Sequence, residues 1–303
     1  MDDRQTTIEI FLEKIDRFLR GQFKRPYLLL LIPSLAILVL FFVIPLIFLF
    51  VLSLRHYIPG TGISSTLTLE NYTKFLTDLF YIDVLLKTLF LGILTSFLTL
   101  IIGYPLAYFI ARSSARKKGL LLALVIFPLF LNLVVRSFAW VILLANKGVI
   151  NNFLIEIRLI EQPLSLLFNY TGVVIGMTHI LLPFMVIALA SVIQGIERDY
   201  EEAAQTLGAN RFKTFFRITL PLSLPGIVAG SLLVFLQAIT AFVTPRLLGG
   251  INIKIISNLI YQEFTNTFNW PFGAAMGFIL LLVTLLIIFV YLKVFSTEEK
   301  PLC

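Results

Sequence analysis

Six stretches of this chain are long and apolar enough to cross a lipid bilayer, and that restricts the fold to a bundle of membrane helices. They cover residues 27–52, 84–111, 120–144, 170–194, 222–245 and 271–293. Each has roughly 20 residues or more, the length that spans a hydrocarbon core of about 30 Å. In lipid the backbone must satisfy its own hydrogen bonds, which an open sheet or an irregular segment cannot do. Composition agrees. Of 303 residues, 58% are hydrophobic and 14% charged, and a soluble core could not hide so much apolar surface. Pro33, Pro45, Pro105, Pro128 and Pro183 fall inside the stretches, where neighbouring helices can satisfy the carbonyls they free. Gly92 with Gly103, and Gly226 with Gly230 in GIVAG, permit close helix contact.

The expected fold class is therefore an all-α integral membrane protein with six transmembrane helices. Residues 1–26 precede the first helix at 27–52, a loop occupies 53–83, the core spans 84–293, and 294–303 form a tail. In the first segment Ile8, Phe11, Leu12, Ile15, Phe18 and Leu19 share one helical face opposite Glu13, Lys14, Asp16 and Arg17. This predicts an amphipathic helix on the membrane surface that either anchors the first span or packs on a partner. The segment is too charged for a secretory signal, so the mature chain is expected to keep it.

Lys and Arg set the orientation. One side carries sixteen: Arg4, Lys14, Arg17, Arg20, Lys24, Arg25, Arg112, Arg116, Lys117, Lys118, Arg198, Arg211, Lys213, Arg217, Lys293 and Lys300. The other carries six: Arg55, Lys74, Lys147, Arg158, Arg246 and Lys254. The positive-inside rule predicts that both termini and the loop at 196–221 are cytoplasmic, with 53–83 extracytoplasmic. A net charge of +7 placed this way marks membrane orientation and lipid contact and implies no nucleic-acid partner.

That 196–221 loop is longer and more structured than a connector needs. Residues 200–207 are good helix formers, Gly208 is a left-handed stop, and Asn210 caps a second turn. Phe212, Phe215 and Phe216 recur at helical spacing there until Pro221 is expected to end it. A helix–turn–helix exposing small and aromatic residues predicts a docking surface for another protein.

Other chemistry is missing from the sequence. There is no GxxxxGK[ST] phosphate loop, no carboxylate inside the six stretches as drawn, no GxSxG elbow and no HExxH site. With two histidines, His56 and His179, and one cysteine, Cys303, no metal or cofactor site is expected. The chain reads as a transporter component and not an enzyme, with its energy supplied from outside.

The run Glu202-Ala203-Ala204, three residues, Gly208, nine residues, then Ile218-Thr219-Leu220-Pro221 resembles the EAA loop of ABC importer permeases. Similarity to the spermidine/putrescine branch of that family extends through RSFAW (136–140), GVINNFL (148–154), ILLPFMV (180–186), LPLSLPGIVAG (220–230), LLGG (247–250) and NWPFGAA (269–275). Permeases for iron, thiamine, opines and phosphonates share much of it. The resemblance implies a type I permease in the bacterial inner membrane, working by alternating access. Two cytoplasmic ATPase subunits, a second and different permease, and an extracytoplasmic substrate-binding protein would complete the assembly. It implies that Glu202, Ala203, Ala204, Gly208, Ile218, Leu220 and Pro221 form the coupling element that sits on the ATPase. A self-powered secondary transporter is the alternative from another class.

Arg136 lies sixteen residues after Leu120, about 24 Å along a continuous helix, which puts it near the outer interface, as a snorkelling side chain or a vestibule residue. Asn132, His179, Gln194 and Gln237 are expected to bond between helices, and Trp140 and Trp270 to sit in an outer aromatic belt. Glu70, Asp78, Asp83, Glu156, Glu161 and Glu263 are the outer acids available to a polycation, or simply solvated.

Overall fold

In the computed structural model the described residues are 31–296, so the expected amphipathic helix at 1–26 lies outside them. The chain opens with α1 (Ile32–Ser53), whose Pro33 occupies the first turn, where a missing N–H is harmless. Next come β1 (Arg55–Ile58) and β2 (Gly62–Leu67), an antiparallel hairpin turned by Gly60 and Gly62 at φ +85° and +100°. These are the strands among the described residues, an addition to the all-helical expectation. Helices α2 (Glu70–Thr77) and α3 (Leu79–Arg112) follow. Asp78 starts α3 by accepting from the Phe80 N–H at 2.9 Å.

The expected third helix, 120–144, is broken. Helix α4 (Ala115–Ile126) passes into a 3₁₀ turn (Phe127–Phe130), and α5 (Leu133–Leu144) starts afresh. Pro128 cannot donate, and Asn132 caps the new helix by accepting from the Val134 N–H at 2.8 Å. Then come α6 (Val149–Glu156), α7 (Tyr170–Gly195) and α8 (Arg198–Thr206). Helices α9 (Arg211–Leu222) and α10 (Leu224–Thr240) are bent by 64° at Ser223. Pro221 does not end its helix; the break comes two residues later.

The fifth span is shorter than the expected 222–245. It stops at Thr240, and Pro245 sits in the first turn of a separate α11 (Val243–Gly249), where no N–H is required. Helices α12 (Ile256–Thr265) and α13 (Trp270–Ser296) complete the fold.

Two π turns share one cause. Val39–Val43 in α1 and Phe215–Thr219 in α9 each end two residues before a proline, Pro45 and Pro221. Widening the hydrogen-bond ring there shifts the register where the proline removes a donor, so the helix runs on.

Helices α3, α7 and α10 form the core, around Leu91, Ile110, Met177, Met185, Leu189 and Ile193, all buried. Gly230 of α10 brings backbones together: a Cβ there would lie 2.7 Å from Met185 Sδ and 3.3 Å from Ala188 Cβ of α7. A second cluster, with Phe75, Ile256, Phe272 and Met276, joins α2, α12 and α13. Helix α1 packs on α13 through an edge contact of Phe50 and Phe278 and otherwise shows its apolar surface outward, as lipid demands.

Candidate functional site

The 196–221 loop folds as a short helix, a turn and a second helix at one end of the bundle. Helix α8 closes with two bonds: Gly208 N–H donates to Gln205 O and Ala209 N–H to Ala204 O, both at 3.0 Å. That pairing requires a left-handed residue, and Gly208 has φ +87°. Two residues on, the Asn210 side chain accepts from the Lys213 N–H at 2.8 Å and starts α9. Tyr200, Leu207, Phe212 and Phe216 are exposed, Leu207 to 89%. A hollow of about 250 Å³ is lined by Ala204, Leu207, Gly208, Lys213, Arg217 and Ile218 among others.

Three of the sequence-predicted residues, Ala204, Gly208 and Ile218, therefore meet in one hollow. Glu202 and Ala203 are exposed on α8. Leu220 turns the other way and packs against the α3–α7–α10 core, and Pro221 is exposed.

Sequence reasoning missed the groups behind the loop. Arg112, the last residue of α3, donates from Nη2 to Glu201 Oε1 at 2.7 Å and from Nη1 to the Ile196 carbonyl at 2.8 Å. Thr219 Oγ1 donates to the same Glu201 oxygen at 2.9 Å, and the Tyr108 hydroxyl donates to Oε2 at 3.3 Å. Arg198 Nη2 donates back to the Arg112 carbonyl at 2.6 Å. The paired side chains are only 14% and 12% exposed. Adjacent residues on a helix point about 100° apart, so Glu201 and Glu202 had to face different ways. Which one faced inward depends on where Arg112 ends up, and no local signal carries that.

Deeper in the membrane segment, Trp140 of α5 donates from Nε1 to His179 Nδ1 of α7 at 3.1 Å, with the rings edge to face. His179 lies nine residues along α7 from Tyr170, about 13 Å at 1.5 Å per residue. Trp140 thus bonds between helices, whereas Trp270, at the first position of α13, bonds the Phe264 carbonyl at 3.1 Å. Arg136 shares the Trp140 face one turn earlier, and its Nε is buried without a hydrogen-bond partner. It lies about 12 Å along α5 from Leu144, which packs beside Gly172 near the start of α7. The break at 127–132 invalidates the continuous count from Leu120, so the position of Arg136 is counted along α5 alone. Asn132 caps its own helix and does not bridge to another.

Several of the acids expected on the outer side are engaged locally. Glu70 pairs with His56 at 2.7 Å, Asp83 with Lys87 at 2.6 Å, Asp78 caps α3, and Glu263 bonds Thr267. Among the described residues no three His, Cys, Asp or Glu side chains converge on a metal position.

Residues 103–296 match the family described as binding-protein-dependent transport system inner membrane component. The spermidine/putrescine transport system permease protein PotB of Escherichia coli strain K12 is 39% identical over 254 residues, 84% of this chain and 92% of that one. The molybdenum transport system permease protein ModB of Mycobacterium bovis is 31% identical over 63% of this chain and 71% of its own. These relatives are permease subunits of transport systems. Among solved structures, a bacterial alginate ABC transporter in complex with a pentasaccharide-bound periplasmic protein superposes with a TM-score of 0.70. It is 21% identical and covers 92% of this chain and 98% of its own, a likeness of fold.

Proposed function

Because this chain belongs to the family of binding-protein-dependent transport system inner membrane components, we propose that it is one permease of an ATP-driven importer of polyamines, spermidine and putrescine in particular. The observation that carries the reading is the α8–Gly208–α9 element. It presents an exposed apolar face at the end of a bundle whose sequence holds no nucleotide-binding loop. The substrate class rests on 39% identity to a spermidine/putrescine permease over most of both chains.

In this reading α8 and α9 lie in the cytoplasm, as do both termini, and residues 84–293 form half of the translocation pore. Ala203 and Ala204 let an ATPase surface approach, Glu202 offers it a carboxylate, and Gly208 sets the angle between the two helices. Ile218 floors the hollow, while Leu220 and Pro221 carry motion toward α10. Two ATPase subunits, a second permease of different sequence and an extracytoplasmic binding protein complete the machine. Support for the last is the periplasmic protein held by the alginate transporter of like fold. Arg136, beside His179 and Trp140, is assigned to the vestibule. Its positive charge makes the permease a passage and leaves selection of a polycation to the binding protein.

Liposome reconstitution tests this. Radiolabelled spermidine enters only when the ATPase, second permease, binding protein and ATP are all present. Uptake by this chain alone would establish a self-powered transporter instead. Complete assemblies that hydrolyse ATP but take up another solute would retain the importer and overturn the polyamine.

A further inference from the structure

We propose that Glu201 and Arg112 are a positioning latch that makes α8 a rigid extension of α3, so that force applied to the exposed loop reaches the membrane helices. The proposal rests on the reading of α8 and α9 as the ATPase dock. Helix α8 is nine residues long and has a hinge at each end. On one side Ile196 and Glu197 are extended, with ψ +116° and +139°. On the other is the Gly208 turn. A push on such a segment would swing it about its hinges before moving anything else.

The Glu201 carboxylate removes that freedom by tying three elements at one point. It accepts from Arg112 of α3 at 2.7 Å and from Thr219 of α9 at 2.9 Å on one oxygen, and from Tyr108 of α3 at 3.3 Å on the other. Arg112 simultaneously clamps the hinge itself through the Ile196 carbonyl at 2.8 Å, and Arg198 returns a bond to the Arg112 carbonyl. Both charged groups are largely shielded from water, which keeps their attraction strong. Phe215 sets its ring edge-on to Tyr104 and Tyr108 at 5.4 and 6.4 Å, walling the pair on the membrane side. Glu201 and Glu202 thus divide the labour: Glu202 faces outward, and Glu201 fastens the lever that bears it.

The test uses the whole importer, with Cys303→Ser and nitroxide labels on cysteines at Phe109 of α3 and Thr206 of α8, both exposed. The distance distribution is narrow with Glu201 present and broadens at least twofold in Glu201→Ala. Spermidine taken up per ATP hydrolysed falls about tenfold, while ATPase co-purification stays within twofold. Glu201→Gln, which still accepts from Arg112 and Thr219, recovers at least half of the coupling ratio. An unchanged distribution overturns the latch, as does a loss of abundance with the uptake-to-hydrolysis ratio intact, which marks a merely structural pair. If Glu201→Ala does not accumulate, Thr219→Val removes one bond alone and must still broaden the distribution. The docking reading fails separately: Leu207→Ser with Phe212→Ser would leave ATPase co-purification unchanged, whatever the labels report.

Discussion

Gly208 offers the sharpest test of the loop, because the cost of replacing it has a single source. No atom lies within 4 Å of where a Cβ would be, so a side chain there meets open space. What remains is the backbone. At φ +87° an L residue carries a penalty of about 1–2 kcal/mol, and valine adds the crowding of a branched Cβ. Asparagine, whose side chain bonds locally, visits this region readily. At tenfold per 1.4 kcal/mol, the ratio of correctly turned to misturned loop falls about 5- to 30-fold for Gly208→Ala. It falls further for Gly208→Val and little for Gly208→Asn. The assay is uptake by the reconstituted importer, with membrane insertion measured in parallel. Activity should rank glycine, asparagine, alanine, valine, with insertion constant and Gly208→Val inactive. Were asparagine as damaging as valine, side-chain volume against a docked partner would govern the site and the backbone argument would be wrong.

Two further substitutions test the scaffold behind the site. Asn151, fully buried, donates to the Ala145 and Leu164 carbonyls at 3.1 and 3.0 Å and accepts from the Leu164 N–H at 2.8 Å. Asn151→Ala leaves the Leu164 N–H without its partner, while the Gly148 and Leu166 N–H groups still donate to the Ala145 and Leu164 carbonyls. The loss costs about 1–3 kcal/mol and lowers the unfolding midpoint in detergent; an unchanged midpoint would mean that the Leu164 N–H finds another partner. In Gly172→Ala the new Cβ would sit 2.2 Å from the Leu166 carbonyl oxygen. A backbone atom cannot rotate aside, so a loss of about 1–3 kcal/mol is expected in the same measurement, and wild-type stability would show that the 164–168 segment yields.

Elements whose signals are local were legible in the sequence. The fourth span was expected at 170–194 and is found at Tyr170–Gly195, because an apolar run between a capping Asn169 and the extended Ile196 leaves one helix to form. The Gly208 turn and the Asn210 cap were equally readable, since each depends on a residue's own backbone preference. The breaks at Asn132 and Thr240 were not. Hydropathy averages over a window and is blind to where a proline withdraws a donor and a side chain caps a new helix.

The amino-acid order alone therefore determined that this is a helical membrane bundle with a two-helix loop at one end, because lipid leaves an apolar chain no other way to satisfy its backbone. Tertiary structure decided which glutamate of that loop faces the bundle. Arg112 and Glu201 are 89 residues apart, and only the packing of α3 against α7 brings a charge at the end of one helix within 2.7 Å of the other. A buried ion pair takes its partner from three-dimensional proximity, which no sequence period encodes.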